Sequence, residues 1–240
     1  MDQRPNPIIA LVLALGIAFA GWFVGNGFYR GRAADRFVTV KGVAERDATA
    51  DIAFWPLRYV VTDDDLGRAQ AGIRESQERI VAFLGRHGVD RSEVEVQRLD
   101  VTDRLAEAYR SGPIESRFIV EQTLMVRSHE PEKIKAASQA VGELVDEGVV
   151  LTAGDGAGPT YRFTRLSDLK PEMIAEATAK ARLAAEQFAE DSGSAIGGIR
   201  RANQGVFVIL PQDRAPGIEE GDQIRKTVRV VSTVEYYLEG

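Results

Sequence analysis

The chain has 240 residues, 44% apolar and 28% charged, a globular composition that excludes collagenous, low-complexity and disulfide-scaffold architectures. It has no cysteine, which removes disulfides, thiol nucleophiles and thiolate metal sites together, and its two histidines, His87 and His129, are too few for a His-rich metal centre. The formal net charge is −6; with four Arg and two Asp in the first 36 residues, the remainder carries 26 basic against 34 acidic side chains, which argues against a nucleic-acid binder with its basic face.

No charged residue occurs between Pro5 and Tyr29, and Ile8 to Val24 is almost wholly apolar. A helix of about 20 such residues crosses a bilayer core of about 30 Å, so a single transmembrane helix is expected, with residues 1–32 forming a membrane anchor and spacer. Trp22, Phe28 and Tyr29 fall near one end, where aromatic belts form. A cleavable signal peptide is the competing reading, because Ala18-Phe19-Ala20 has the small-residue spacing of a cleavage site. The uncleaved anchor is favoured: Arg4 is offset by Asp2, and the apolar run continues through Trp22, Phe23 and Val24. Arg30, Arg32 and Arg36 outnumber Arg4, and the positive-inside rule taken alone puts the C-terminal domain on the cytoplasmic side.

Residues 33–240 read as one α+β domain in which antiparallel strand pairs alternate with three helices. Apolar residues alternate over Phe37 to Val40, Gly42 breaks the run, and Asp51 to Thr62 is extended again, a pattern expected of a β-hairpin or paired strands. Asp63, Asp64 and Asp65 precede Leu66, Ala69, Ile73, Ile80 and Leu84 at helical spacing. They read as an N-cap and dipole complement; a carboxylate metal cluster would need further ligands, which nothing nearby supplies. Gly85 and Gly88 close this helix.

Val94 to Val101 and Phe118 to Val126 come next as strands, with Phe118, Val120, Leu124 and Val126 on one face. A second helix after Pro131 turns Ile134, Ala137, Val141 and Leu144 inward and stops near Gly148, before a short strand at Val149 to Leu151. Gly154 to Gly158 is glycine-rich but has no following Lys-Ser/Thr and opens no helix, so it reads as a turn and not a phosphate cradle. Tyr161 to Leu166 alternates as a strand. A third helix from Pro171 puts Ile174, Ala177, Ala181, Ala184 and Phe188 on one stripe and ends at Gly193 and Gly197-Gly198. Gly205 to Leu210 reads as a buried strand, and Pro211 to Asp222 as a mobile acidic loop. Ile224 to Leu238 alternates for fifteen residues, with Val228, Val230, Val234, Tyr236 and Leu238 on one face and Arg225, Arg229, Thr233 and Glu235 on the other. At about 3.3 Å per residue this strand is roughly 50 Å long, more than a small domain needs, so part of it is expected to pair with another subunit.

The arrangement resembles the SIMPL-domain family of bacterial periplasmic and membrane-anchored proteins. The resemblance rests on Val38-Thr-Val40-Lys-Gly42 with Ala50-Asp51-Ile-Ala53 after it, on the Gly88-Val-Asp90 turn, on the alanine-rich helix from Ala175 to Ala189 ending in Gly193, and on the closing strand from Val228 to Leu238. It spans roughly Phe37 to Leu238 as a pattern of glycines, alanines and strand ends. Ala50 stands where members often carry Pro, and the aromatic-rich centre some members have is missing around Tyr109. The resemblance implies an envelope protein linked with stress tolerance and ring-like self-assembly, exported so that its domain lies in the periplasm, with no catalytic residue to transfer.

No catalytic, cofactor-binding or metal site is assigned. His87 and His129 lie in polar surroundings and are read as exposed, structural residues. The expected function is that of a non-enzymatic, self-assembling, single-pass protein of the inner membrane, with a homo-oligomer and the membrane as partners. One alternative is a periplasmic module for a small molecule or lipid, which requires an apolar cavity. The other is a hydrolase using carboxylates with Ser111, Ser116 or Ser128, although neither His has a triad context.

Overall fold

The computed structural model describes residues 7–33, 36–106, 115–152 and 158–239, with the side chains of 11–27 in the first segment. Five α-helices occur among them. The first, α1 (Pro7–Ala33), is the helix expected at the N-terminus, and its described side chains, Leu13, Ile17, Phe19 and Phe23 among them, stand exposed. Among the described residues no helix is long and apolar enough to cross a membrane. Those of α1 with described side chains, 11–27, make about 25 Å of helix at 1.5 Å per residue. The transmembrane expectation is therefore met only as far as a helix.

β1 (Phe37–Thr49) and β2 (Ile52–Asp63) are not the hairpin that their alternation suggested. β2 joins a sheet of order β3-β4-β2-β5, made with β3 (Val94–Asp103), β4 (Phe118–Ser128) and β5 (Thr160–Arg162). β1 pairs with β8 (Arg225–Glu239) in another sheet, whose further members are β6 (Ala195–Gln204) and β7 (Val208–Pro211). The connection at Ala50 and Asp51 changes sheet because its backbone is taken by other partners: Ala50 N–H donates to Ile224 O at 2.8 Å, and Asp51 N–H to Arg162 O at 2.9 Å. Nor does Gly42 break β1, which runs through it.

One compact unit comprises residues 45–170 and 208–229. In it α2 (Leu66–Arg86) packs on β2 and β4, and α3 (Pro131–Gln139) on β2. Trp55, Leu57, Tyr59, Ile73, Ile80, Phe83, Leu124, Val126, Ile134 and Leu144 fill the core between them. The helix expected after Pro131 is split in two: α3 ends at Gln139 and α4 (Gly142–Asp146) comes after it, with Gly142, a weak helix former, at the restart. Ile134, Ala137 and Leu144 still face the core. Val149 to Leu151 contributes only an isolated bridge, Leu151 to Tyr59, and of the Tyr161 to Leu166 strand only β5 forms.

The other unit comprises residues 1–44, 171–207 and 230–240. Here α5 (Leu166–Asp191) lays Ala181 and Ala185 against Val38, Val40, Val234 and Tyr236. The helix begins five residues before the expected start, so Pro171 is internal, at its sixth position. Its buried stripe is also rotated: Met173, Ala177, Ala181, Ala185 and Ala189 are buried, whereas Ala184 and Phe188 are exposed. β6 was not foreseen, since Gly197-Gly198 read as a helix end; the glycines lie inside a bulged strand paired to the end of β8. The segment Gly205 to Leu210 is not a buried strand, for Val206 is 81% exposed and pairing starts only at Val208.

β8 alternates as expected, but its length needs no second subunit. β1 lies on one side of it, and β6 and β7 divide the other, β7 along Lys226 to Arg229 and β6 along Ser232 to Glu239.

Candidate functional site

The alternation of β8 that buries Val228 and Val230 also turns Lys226 inward, where it is 0% exposed. A buried ammonium is costly unless its three protons are taken. Here Lys226 Nζ donates to the backbone oxygen of Tyr161 at 3.0 Å and to that of Glu220, and it forms an ion pair with Glu220 Oε1 at 2.8 Å. The lysine thus fastens β5 and the 3₁₀ turn Glu220–Asp222 onto β8.

That turn belongs to the acidic segment expected to be mobile, and it is pinned at several further points. Asp213 N–H donates to Gln223 Oε1 at 3.0 Å, Gln223 Nε2 donates back to Asp213 O at 2.9 Å, and Glu219 N–H donates to Asp222 Oδ2 at 2.8 Å. Asp51 secures the far end of β5: its carboxylate accepts from Thr164 N–H and Thr164 Oγ1, both at 3.0 Å, and lies 3.3 Å from Arg165 Nε.

Between this pinned turn and α3 lies a cleft of about 460 Å³. Tyr161 and Ile224 line it, together with the carboxylates of Glu132, Asp213 and Asp222 and the cations of Lys135 and Arg225. Burial raises the pKa of Tyr161, a hydrogen bond with Ser138 opposes the shift, and the charge of Glu132 adds to it. The phenol is neutral at physiological pH and offers a hydrogen-bonding edge. Both charge signs around one phenol suit a small zwitterionic or polar molecule better than an ion of one sign.

A second cleft, about 450 Å³, is more apolar, with Trp55, Leu57, Val141, Leu151 and Pro159 in its walls and Arg58 at its edge. It opens to solvent, so it is a groove and not the closed chamber that a lipid carrier was expected to need.

The residues singled out in the sequence do not converge on either cleft. Asp65 caps α2, its side chain accepting from Arg68 N–H at 2.9 Å, as expected. Asp63 pairs with Arg68 at 2.6 Å and Asp64 accepts from Arg117 N–H at 3.0 Å, so each of the three carboxylates has a structural partner. Ser111 and Gly154 lie outside the described residues, and Ser116 is half-buried. Ser128 is buried, its Oγ accepting from Glu130 N–H at 3.1 Å at the start of α3, a turn and not a nucleophile. His129 is exposed, with Nδ1 3.3 Å from Asp51 O, whereas His87 is half-buried against Phe83, contrary to the exposed position expected. Tyr161 and Lys135 of the polar cleft and the buried Lys226 beside it were missed; the signal for Lys226 was its place in the alternation of β8, two residues before Val228.

The sequence model of the SIMPL family, described as a protein of unknown function (DUF541), matches residues 38–235. No curated protein matches the chain.

Proposed function

Since the chain belongs to the SIMPL family, we propose that it is a membrane-tethered protein of the bacterial envelope, its domain in the periplasm, acting by self-association and not by catalysis. The observation that carries the tether is the exposure of α1, where Leu11, Leu13, Ile17, Phe19, Trp22 and Phe23 are each more than 60% exposed along one helix. An apolar surface of this kind in water marks a partner or a lipid phase. The full α1, 27 residues, is about 40 Å long and exceeds a bilayer core of about 30 Å. The tether stays uncleaved, with Ala18 to Ala20 inside it, and the family resemblance outweighs Arg30, Arg32 and Arg36 in setting the domain outside the cytoplasm.

Fractionation of a two-membrane bacterium expressing the full chain tests this. The protein stays in the membrane pellet after a high-pH wash, and added protease digests it once the outer membrane is opened. Introducing Leu13→Arg and Ile17→Arg together, at about 3 kcal/mol per charge in mid-membrane, releases it. Recovery of the unaltered chain in the soluble fraction, or protection until the inner membrane is broken, sinks the reading.

The polar cleft beside Tyr161 favours a second reading, a binding module for a small zwitterion. Thermal-shift screening of amino acids and betaines on the full chain tests it, with loss of the shift in Lys135→Ala.

A further inference from the structure

Among the described residues β3 is a terminal strand of its sheet, hydrogen-bonded to β4 on one side only. Its register sets Val96 opposite Leu124, Leu99 opposite Gln122 and Val101 opposite Val120, all three partners buried. Val96, Leu99 and Val101 therefore lie on the core-facing side of the sheet. They are nonetheless 50%, 51% and 51% exposed, because α2 covers β2 and β4. An uncapped edge with apolar side chains on its inner face is a template for another strand.

The charges on the strand select the occupant. Arg98 and Asp100 flank Leu99 on the opposite face, with Arg98 Nε 2.6 Å from Asp100 Oδ2. When two β3 strands pair antiparallel about a two-fold axis through Leu99, each Arg98 stands opposite Asp100 of the other copy, and the two Leu99 side chains meet. Moving the axis to Asp100 puts two carboxylates face to face, and parallel in-register pairing stacks like charges. The bulge between Val96 and Arg98 further limits slippage. We propose that β3 is the self-association edge of this protein, taking β3 of a second copy in the register that opposes Leu99 to Leu99. The proposal rests on the self-association reading above and names its surface.

The chain has no cysteine, so one introduced thiol reports one position. Residues directly opposite in an antiparallel pair lie about 4.5–5.5 Å apart between Cα atoms. A disulfide spans about 4.4–6.8 Å. Mild oxidation of full-length Leu99→Cys in detergent yields a disulfide-linked dimer on a non-reducing gel, whereas Val150→Cys, 60% exposed elsewhere in the same unit, stays monomeric. Adding Arg98→Asp or Asp100→Arg singly to Leu99→Cys abolishes the dimer, and adding both restores it. The restored double variant also shows that loss in the single variants is not misfolding. Equal cross-linking of Leu99→Cys and Val150→Cys overturns the proposal. Sedimentation of the unaltered chain separates the two failures: an oligomer without Leu99 cross-linking moves the interface off β3, and a monomer at every concentration removes self-association altogether.

Discussion

Gly42 of β1 lies so close to Ala177 of α5 that a Cβ at residue 42 would stand 1.8 Å from the Ala177 carbonyl oxygen and 2.5 Å from Ala181 N. Gly42 shares the buried face of β1 with Val38 and Val40. The alanines of α5 at 177, 181 and 185, all fully buried, form the matching face. The same approach explains the rotation of the helix, which leaves Phe188 in solvent.

Gly42→Ala is therefore expected to cost about 3 kcal/mol, the upper end of over-packing, because the obstacle is backbone and cannot rotate away. Ala177→Gly does not rescue it, since the clash is with the carbonyl oxygen. Gly85→Ala in α2, where a Cβ meets nothing within 4 Å, is the control and gains about 0.5–1 kcal/mol of helix propensity. Urea midpoints of the three variants check the ordering; a harmless Gly42→Ala refutes the packing account.

Lys226→Met keeps the buried stem and removes the ammonium. The oxygens of Tyr161 and Glu220 then lose their donor, at about 1–3 kcal/mol for each orphaned group that water does not reach. Amide exchange localises the effect, with faster exchange in β5 and the Glu220–Asp222 turn and little change in β3. Uniform exchange across the protein contradicts the role of a local fastener.

Tyr59 is 0% exposed and its hydroxyl has no hydrogen-bond partner among the described residues, and burial holds its ionisation well above the ordinary tyrosine range. A buried hydroxyl without a partner is costly, and Tyr59→Phe is expected to stabilise by about 1 kcal/mol. A group raised in the folded state contributes stability that is present below its unfolded pKa and lost as the pH rises beyond it. Alkaline destabilisation thus begins near pH ~10 and is smaller in Tyr59→Phe. Thermal melts between neutral and alkaline pH test both parts; a less stable Tyr59→Phe at neutral pH contradicts the unsatisfied hydroxyl.

Asp63 is held below the ordinary carboxylate range first by its hydrogen bond with Arg68 and then by the Asp65 backbone, and Asp90 by the side chain and backbone of Ser92. Depressed carboxyl groups contribute stability that is present above their unfolded pKa of about 4 and lost as the pH falls through the folded values. Asp63→Asn and Asp90→Asn each flatten the acid limb of the stability curve below pH ~4 and leave the alkaline limb unchanged. Both carboxylates are solvated, so the effects are small; an unchanged acid limb in the double variant rules them out as its source.

Local pattern made much of the fold legible. Helical periodicity located α2, the acidic triplet marked its cap at Asp65, and alternation identified β3, β4 and the whole of β8, because these signals depend on neighbours within a few residues. The same alternation turns Lys226 onto the inner face of β8, a burial that was missed because a lysine there does not announce its acceptors, which come from residues 65 and six positions away. What the chain could not specify locally is which strand meets which. β1 and β2 look like a hairpin, yet they pair with β8 and β4, because the backbone groups of Ala50 and Asp51 are claimed by Ile224 and Arg162, far along the chain. Gly42 read as a strand break for the same reason: a glycine that admits a helix backbone and one that ends a strand are identical until the helix arrives. Composition, periodicity and capping are properties of the sequence alone; sheet partnership, close backbone approach and the uncovered edge of β3 arise only when distant segments compete for the same hydrogen bonds and the same apolar surface.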